Sequence, residues 1–98
     1  MKKEITGLDQ ADIIYFAITD RFARDGQGEQ WLNEKNLRSY QGGNLAGIRK
    51  NIPYLKHLGI TALWITPVYL GIGSLCSATG ILDNYHGYWP LDFERVDP

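Results

Sequence analysis

Two uninterrupted apolar runs set the strongest limit on what this chain can fold into. Ile13-Ile14-Tyr15-Phe16-Ala17-Ile18 lies between Asp12 and Thr19-Asp20, and Ile60-Thr61-Ala62-Leu63-Trp64-Ile65 is stopped by Thr66-Pro67. Short runs without alternation suit strands buried on both faces, although periodicity alone would also admit a short buried helix. Between them Leu45, Ile48, Ile52, Leu55 and Leu58 recur at the three-to-four spacing of one helical face, beginning after Asn44, an N-cap residue type. Pro53 interrupts this face, so the spacing predicts a helix over residues 45–51 and a second one restarting with Pro53 at its first position. Gly59 then provides the left-handed residue that ends the helix. Strand ~13–18, helical segment ~44–58 and strand ~60–65 together read as a right-handed βαβ unit with parallel strands.

The remaining segments are irregular. Arg24–Tyr40 reads as loop, with turn chemistry in Asp25-Gly26-Gln27-Gly28, and Val68–Pro98 carries Gly71, Gly73, Gly80 and Gly87 without convincing periodicity. Both long segments, 19–43 and 66–98, follow the C-terminal ends of strands. Ligands of parallel α/β folds bind at that end, and loops longer than about 12 residues are uncommon unless functional or disordered. Topology therefore directs attention to Asp20–Gly43 and Thr66–Asp92.

The second of these loops contains Tyr85-His86-Gly87-Tyr88-Trp89, three aromatics and a histidine in five residues. Sugar rings have apolar faces and hydroxyl rims, so a site for them needs flat aromatics beside hydrogen-bonding groups. The same composition would also serve an aromatic cluster that caps a core. Asp20 and Arg21, beside Phe22 at the end of the first run, read as an ion pair that orders the base of the loop. Asp83, Asp92, Glu94 and Asp97 read as solvated loop acids or residues approaching a helix.

Charge and cysteine content exclude other classes. The net charge is −1 with both signs interspersed, which gives no basic field for nucleic acid or anionic lipid. Neither nucleic acid nor membrane is expected as a partner. Cys76 is the only cysteine, so no internal disulfide forms. No apolar run of signal-peptide length follows Met1-Lys2-Lys3-Glu4, so the chain reads as cytoplasmic; a secreted chain whose leader had been removed would read the same.

Several segments in one order resemble the opening strands and loops of α-amylase-family glycosidases. They are Ile14-Tyr15 leading into Thr19-Asp20-Arg21-Phe22-Ala23, then Gln41–Ile48, then Tyr54–Val68, then Tyr85–Trp89. The resemblance implies an α/β chain that forms the first βαβ portion of a TIM-type (β/α)8 barrel, incomplete here, since 98 residues fall far below the ~250 of a closed barrel. The whole of residues 1–98 then reads as an N-terminal piece of such a barrel, with a substrate loop at 66–92.

The same resemblance assigns roles. Tyr88 would stack on the sugar at the cleavage point, His86 would hydrogen-bond one of its hydroxyls, and Trp89 would wall or brace the site. Retaining glycosidases use two carboxyl groups about 5 Å apart; in this family the acids come from later strands, so no catalytic residue is expected among these 98 residues. The implied function is a share in hydrolysing α-1,4-glucosidic bonds of starch-like glucans or maltooligosaccharides through donor-sugar binding. The alternatives are a glucanotransferase of the same family and a non-catalytic glucan-binding or scaffold fragment. No cofactor is required, but some relatives bind calcium with the loop corresponding to Asp25–Gln27 and the segment Gly42–Asn44, which makes Asp25 and Asn44 the candidate ligands. The remainder of the barrel, or another copy of the chain, would cover the strand edges.

Overall fold

A computed structural model describes residues 7–26, 36–78 and 80–98. The two apolar runs form parallel strands, β1 (Ile14–Ala17) and β2 (Ala62–Ile65), in register from Ile14 opposite Ala62 to Ala17 opposite Ile65. Each strand is shorter than its run because side chains and proline trim the ladder. At the start, Ile13 N–H donates to the Thr61 hydroxyl at 2.8 Å, while the Thr61 and Ala62 N–H groups share the Ile13 carbonyl at 2.9 and 3.2 Å. At the other end Thr66 N–H still reaches the Ala17 carbonyl at 3.3 Å, and Pro67, having no N–H, stops the pairing.

A single-turn helix, α1 (Thr19–Phe22), follows β1 where irregular chain was expected. The amphipathic segment divides into α2 (Leu45–Lys50) and α3 (Ile52–His57), with Pro53 the second residue of α3 and not its first. Asn44 caps α2, its Oδ1 accepting the Gly47 N–H at 2.8 Å, and Asn51 Nδ2 donates to the Gly47 carbonyl at 2.8 Å across the break. Gly59 ends α3 with φ +88°, a backbone state that a Cβ disfavours.

Ala17, Ile48 and Leu55, one from each of β1, α2 and α3, are the buried apolar side chains among the described residues. Taken by itself, this chain leaves the outer faces of both strands uncovered. Phe16 and Trp64 pair edge-to-face at 5.0 Å yet remain 47% and 59% exposed. A two-stranded sheet with α2 and α3 beside it lacks the second layer that parallel sheets normally have.

The stretch from Val68 to Pro98 also differs from the irregular chain expected. It holds β3 (Tyr69–Gly71), β4 (Ser74–Ser77), β5 (Gly80–Asp83) and β6 (Pro90–Val96). β3 and β6 pair antiparallel with shifts of register, and β4 and β5 form a regular antiparallel hairpin. Asp83 lies in β5 and Asp92 and Glu94 in β6, so these acids belong to strands rather than loops.

The α2 helix meets the chain leaving α1 at Gly47, where an added Cβ would collide with the Ala23 carbonyl. Alanine is normally better than glycine inside a helix by about 1 kcal/mol. Here the clash should reverse the sign, and Gly47→Ala should lower stability by about 1–3 kcal/mol in chemical denaturation of the gene product that contains this chain. An unchanged or higher midpoint would mean that α2 slides freely past Ala23.

Candidate functional site

The first loop is anchored by Asp20, which is buried to 8% exposure. Its carboxylate accepts the Gln41 and Gly42 N–H groups at 2.8 and 3.1 Å and pairs with Arg21, as the sequence reading of a strand-end ion pair anticipates. Arg21 in turn donates to the Ser39 carbonyl at 3.0 Å and to the Leu37 carbonyl, and its guanidinium carbon lies 4.0 Å from the centre of the Tyr85 ring. The loop is thereby folded back onto the exit of β1 and reaches the aromatic segment.

The second loop is held just as closely. Gly87, at φ +77°, sits so near the Pro67 carbonyl that a Cβ would collide with it, which fixes Tyr85–Trp89 just beyond the C-terminal end of β2. Asn84, 5% exposed, donates its N–H to the Gly73 carbonyl at 2.8 Å, and the Trp89 carbonyl accepts the Ile72 N–H at 3.1 Å. The two loops are tied to each other: Tyr40 N–H donates to the Asp83 carboxylate at 2.9 Å, Asp83 N–H to the Arg38 carbonyl at 3.0 Å, and the Tyr40 hydroxyl to the Gly73 carbonyl at 2.9 Å. Burial first, then the carboxylates of Asp97, Asp83 and Asp20, push the Tyr40 hydroxyl above its ordinary pKa, so it stays a proton donor.

On this frame His86, Tyr88 and Trp89 come together. The His86 ring meets Trp89 edge-on at 4.7 Å, and lies 5.8 Å from Tyr88 with a 31° tilt. Its Nδ1 accepts the Tyr88 N–H at 2.9 Å, which leaves Nε2 to carry the proton of the neutral ring and donate. Tyr88 is 55% exposed in this chain. A cavity of about 690 Å³ opens nearby among Thr19, Thr66, Asn84 and Tyr85, but His86, Tyr88 and Trp89 do not line it. The aromatic surface is thus a platform beside that cavity.

Asp25 and Asn44 are also brought together, in an arrangement that uses most of their polar groups on each other. Asn44 Oδ1 accepts the Asp25 N–H at 3.1 Å besides its helix-capping bond, Asn44 Nδ2 donates to the Asp25 carbonyl at 2.9 Å, and Lys50 Nζ lies 3.4 Å from Asp25 Oδ1. Calcium takes six to eight oxygens. Asp25 and Asn44 alone could supply only part of such a set, and Gln27 lies outside the described residues. No group of three or more His, Cys, Asp or Glu among the described residues is placed to hold a metal.

Comparison with known proteins adds family identity to this geometry. The family model for the alpha-amylase catalytic domain matches residues 16–98. The chain belongs to the alpha-amylase family. It is 38% identical over 101 residues to a cyclomaltodextrin glucanotransferase of Klebsiella oxytoca, matching 96% of this chain and 15% of that protein. It is 38% identical over 85 residues to alpha-amylase 1 of Schizosaccharomyces pombe, matching 87% of this chain and 13% of that protein. Among solved structures it resembles a cyclomaltodextrin glucanotransferase with a three-domain ABC distribution, with TM-score 0.81 and 35% identity over 91% of this chain and 20% of that one. It also resembles the alpha-amylase of Geobacillus thermoleovorans complexed with acarbose, with TM-score 0.66 and 34% identity over 89% of this chain and 16% of that one. The chain therefore spans 13 to 15% of these two curated relatives, and its βαβ unit is the opening portion of an alpha-amylase (β/α) barrel that is incomplete in this chain.

Tyr85, Asn84 and Tyr40 help tie the two loops together, and sequence reasoning gave none of them a role. Tyr85 stood inside the quoted motif, but its partner Arg21 lies on the other loop and no local signal links them.

Burial lowers the pKa of His86 below the ordinary 6.5. The unfolded chain then binds more protons below that pH, so this group's stabilisation is present above about pH 6.5 and is lost as pH falls through the folded value. Denaturation midpoints measured between about pH 7.5 and pH 5 should fall less steeply for His86→Gln than for wild type. Parallel profiles would show that the native imidazole is fully hydrated.

Proposed function

We propose that this chain is the donor-sugar-binding part of a retaining enzyme that acts on α-1,4-linked glucans such as starch or maltooligosaccharides. The observation that carries the reading is the open Tyr88 ring beside His86, pinned at the C-terminal end of β2 in an alpha-amylase-family chain. Tyr88 supplies the face on which the sugar stacks, the His86 Nε2–H donates to a sugar hydroxyl, and Trp89 holds the imidazole from its edge. The two carboxyl groups of the retaining mechanism, about 5 Å apart, come from later strands of the barrel, whose packing would also cover Phe16 and Trp64. Transfer to a sugar hydroxyl is a second reading beside hydrolysis, favoured by the glucanotransferases among the relatives.

The test is kinetic. In the gene product that contains this chain, Tyr88→Ala should leave the melting temperature near wild type and lower kcat/KM on maltooligosaccharides by about 1–3 kcal/mol, the order of aromatic stacking on flat ligands. Tyr88→Phe, which keeps the face, should lose much less. Equal losses from Ala and Phe, or a folded Tyr88→Ala enzyme with full activity, would overturn the platform role.

A further inference from the structure

We propose that Arg21 is a positioning residue for the sugar-facing histidine: its guanidinium plane supports Tyr85, and Tyr85 supports His86. The proposal rests on the carbohydrate reading of His86 and Tyr88 given above.

The guanidinium is oriented from three directions, by the Asp20 carboxylate and by the Ser39 and Leu37 carbonyls. Asp20 is itself fixed by two backbone N–H groups and is buried, so the orientation of the plane is set by the exit of β1 and not by solvent. The guanidinium carbon lies over the Tyr85 ring, 4.0 Å from its centre, a cation–π contact. The Tyr85 ring then meets the His86 imidazole at 5.2 Å and 71°, and His86 continues into Tyr88 and Trp89. An ordered path of contacts thus runs from the end of β1 to the ring that would donate to sugar. A lysine could keep the charge beside Asp20 but has no flat face to offer Tyr85.

Arg21 also braces residues 37–39, so loss of activity on its removal would not by itself establish the path through Tyr85. A double-mutant cycle separates the two routes. In the gene product that contains this chain, kcat/KM on maltooligosaccharides and melting temperature are measured for Arg21→Met, Arg21→Lys, Tyr85→Leu, Tyr85→Phe and the Arg21→Met/Tyr85→Leu pair.

Arg21→Met and Arg21→Lys should each lose about 3- to 30-fold in kcat/KM. Tyr85→Phe should lose less than Tyr85→Leu, and Arg21→Met should add less than about twofold once Tyr85 is Leu. A full multiplicative loss in the double variant would overturn the proposal, because Arg21 would then act through the first loop alone. If Arg21→Met does not fold, Arg21→Lys takes its place in the same cycle. Arg21 variants as active as wild type, beside an impaired Tyr88→Ala, would remove only the role of Arg21. A fully active Tyr88→Ala would remove the carbohydrate reading beneath it.

Discussion

The buried carboxylate of Asp20 is the constraint on which the rest of the arrangement depends. A charge taken out of water is costly unless it is paired and hydrogen-bonded. Asp20 meets both conditions by gathering the Gln41 and Gly42 N–H groups and the Arg21 guanidinium. Satisfying one charge therefore brings the far end of a long loop back to the exit of β1. It places Asn44 where it can cap α2, and it turns Arg21 toward the aromatic segment.

The parallel pair, the break near Pro53 and the stop at Gly59 were legible because each follows from a local rule: an apolar run, a missing N–H, a left-handed backbone. The sheets after Pro67 were not. β3 and β6 are separated by the hairpin and pair with irregular register, so neither shows alternation over a useful length. In β4 and β5, Ser74-Leu75-Cys76-Ser77 and Gly80-Ile81-Leu82-Asp83 mix small, polar and apolar residues on strands that remain largely open to solvent. The cluster of His86, Tyr88 and Trp89 was visible as composition and through resemblance. Its supports were not, because Arg21, Tyr40 and Asp83 act across the two loops and a single sequence carries no trace of which side chains meet.

The site gains its shape from backbone more than from burial. Gly87 against Pro67, Asn84 against Gly73 and Ile72 against Trp89 fix the path of the main chain, and the aromatic rings project from that fixed path. The rings can then remain exposed without being loose.

The β4–β5 hairpin completes its own ladder and is attached at a narrow neck, where Asn84 N–H meets the Gly73 carbonyl and the Asp83 carboxylate meets both the Ser74 hydroxyl and Tyr40. A unit closed in this way can lengthen or shorten at its tip with little effect on the chain that leaves the neck, since loop closure depends only weakly on length. Insertions and deletions at that tip would therefore leave the neck, and the Tyr85–Trp89 segment that follows it, in place.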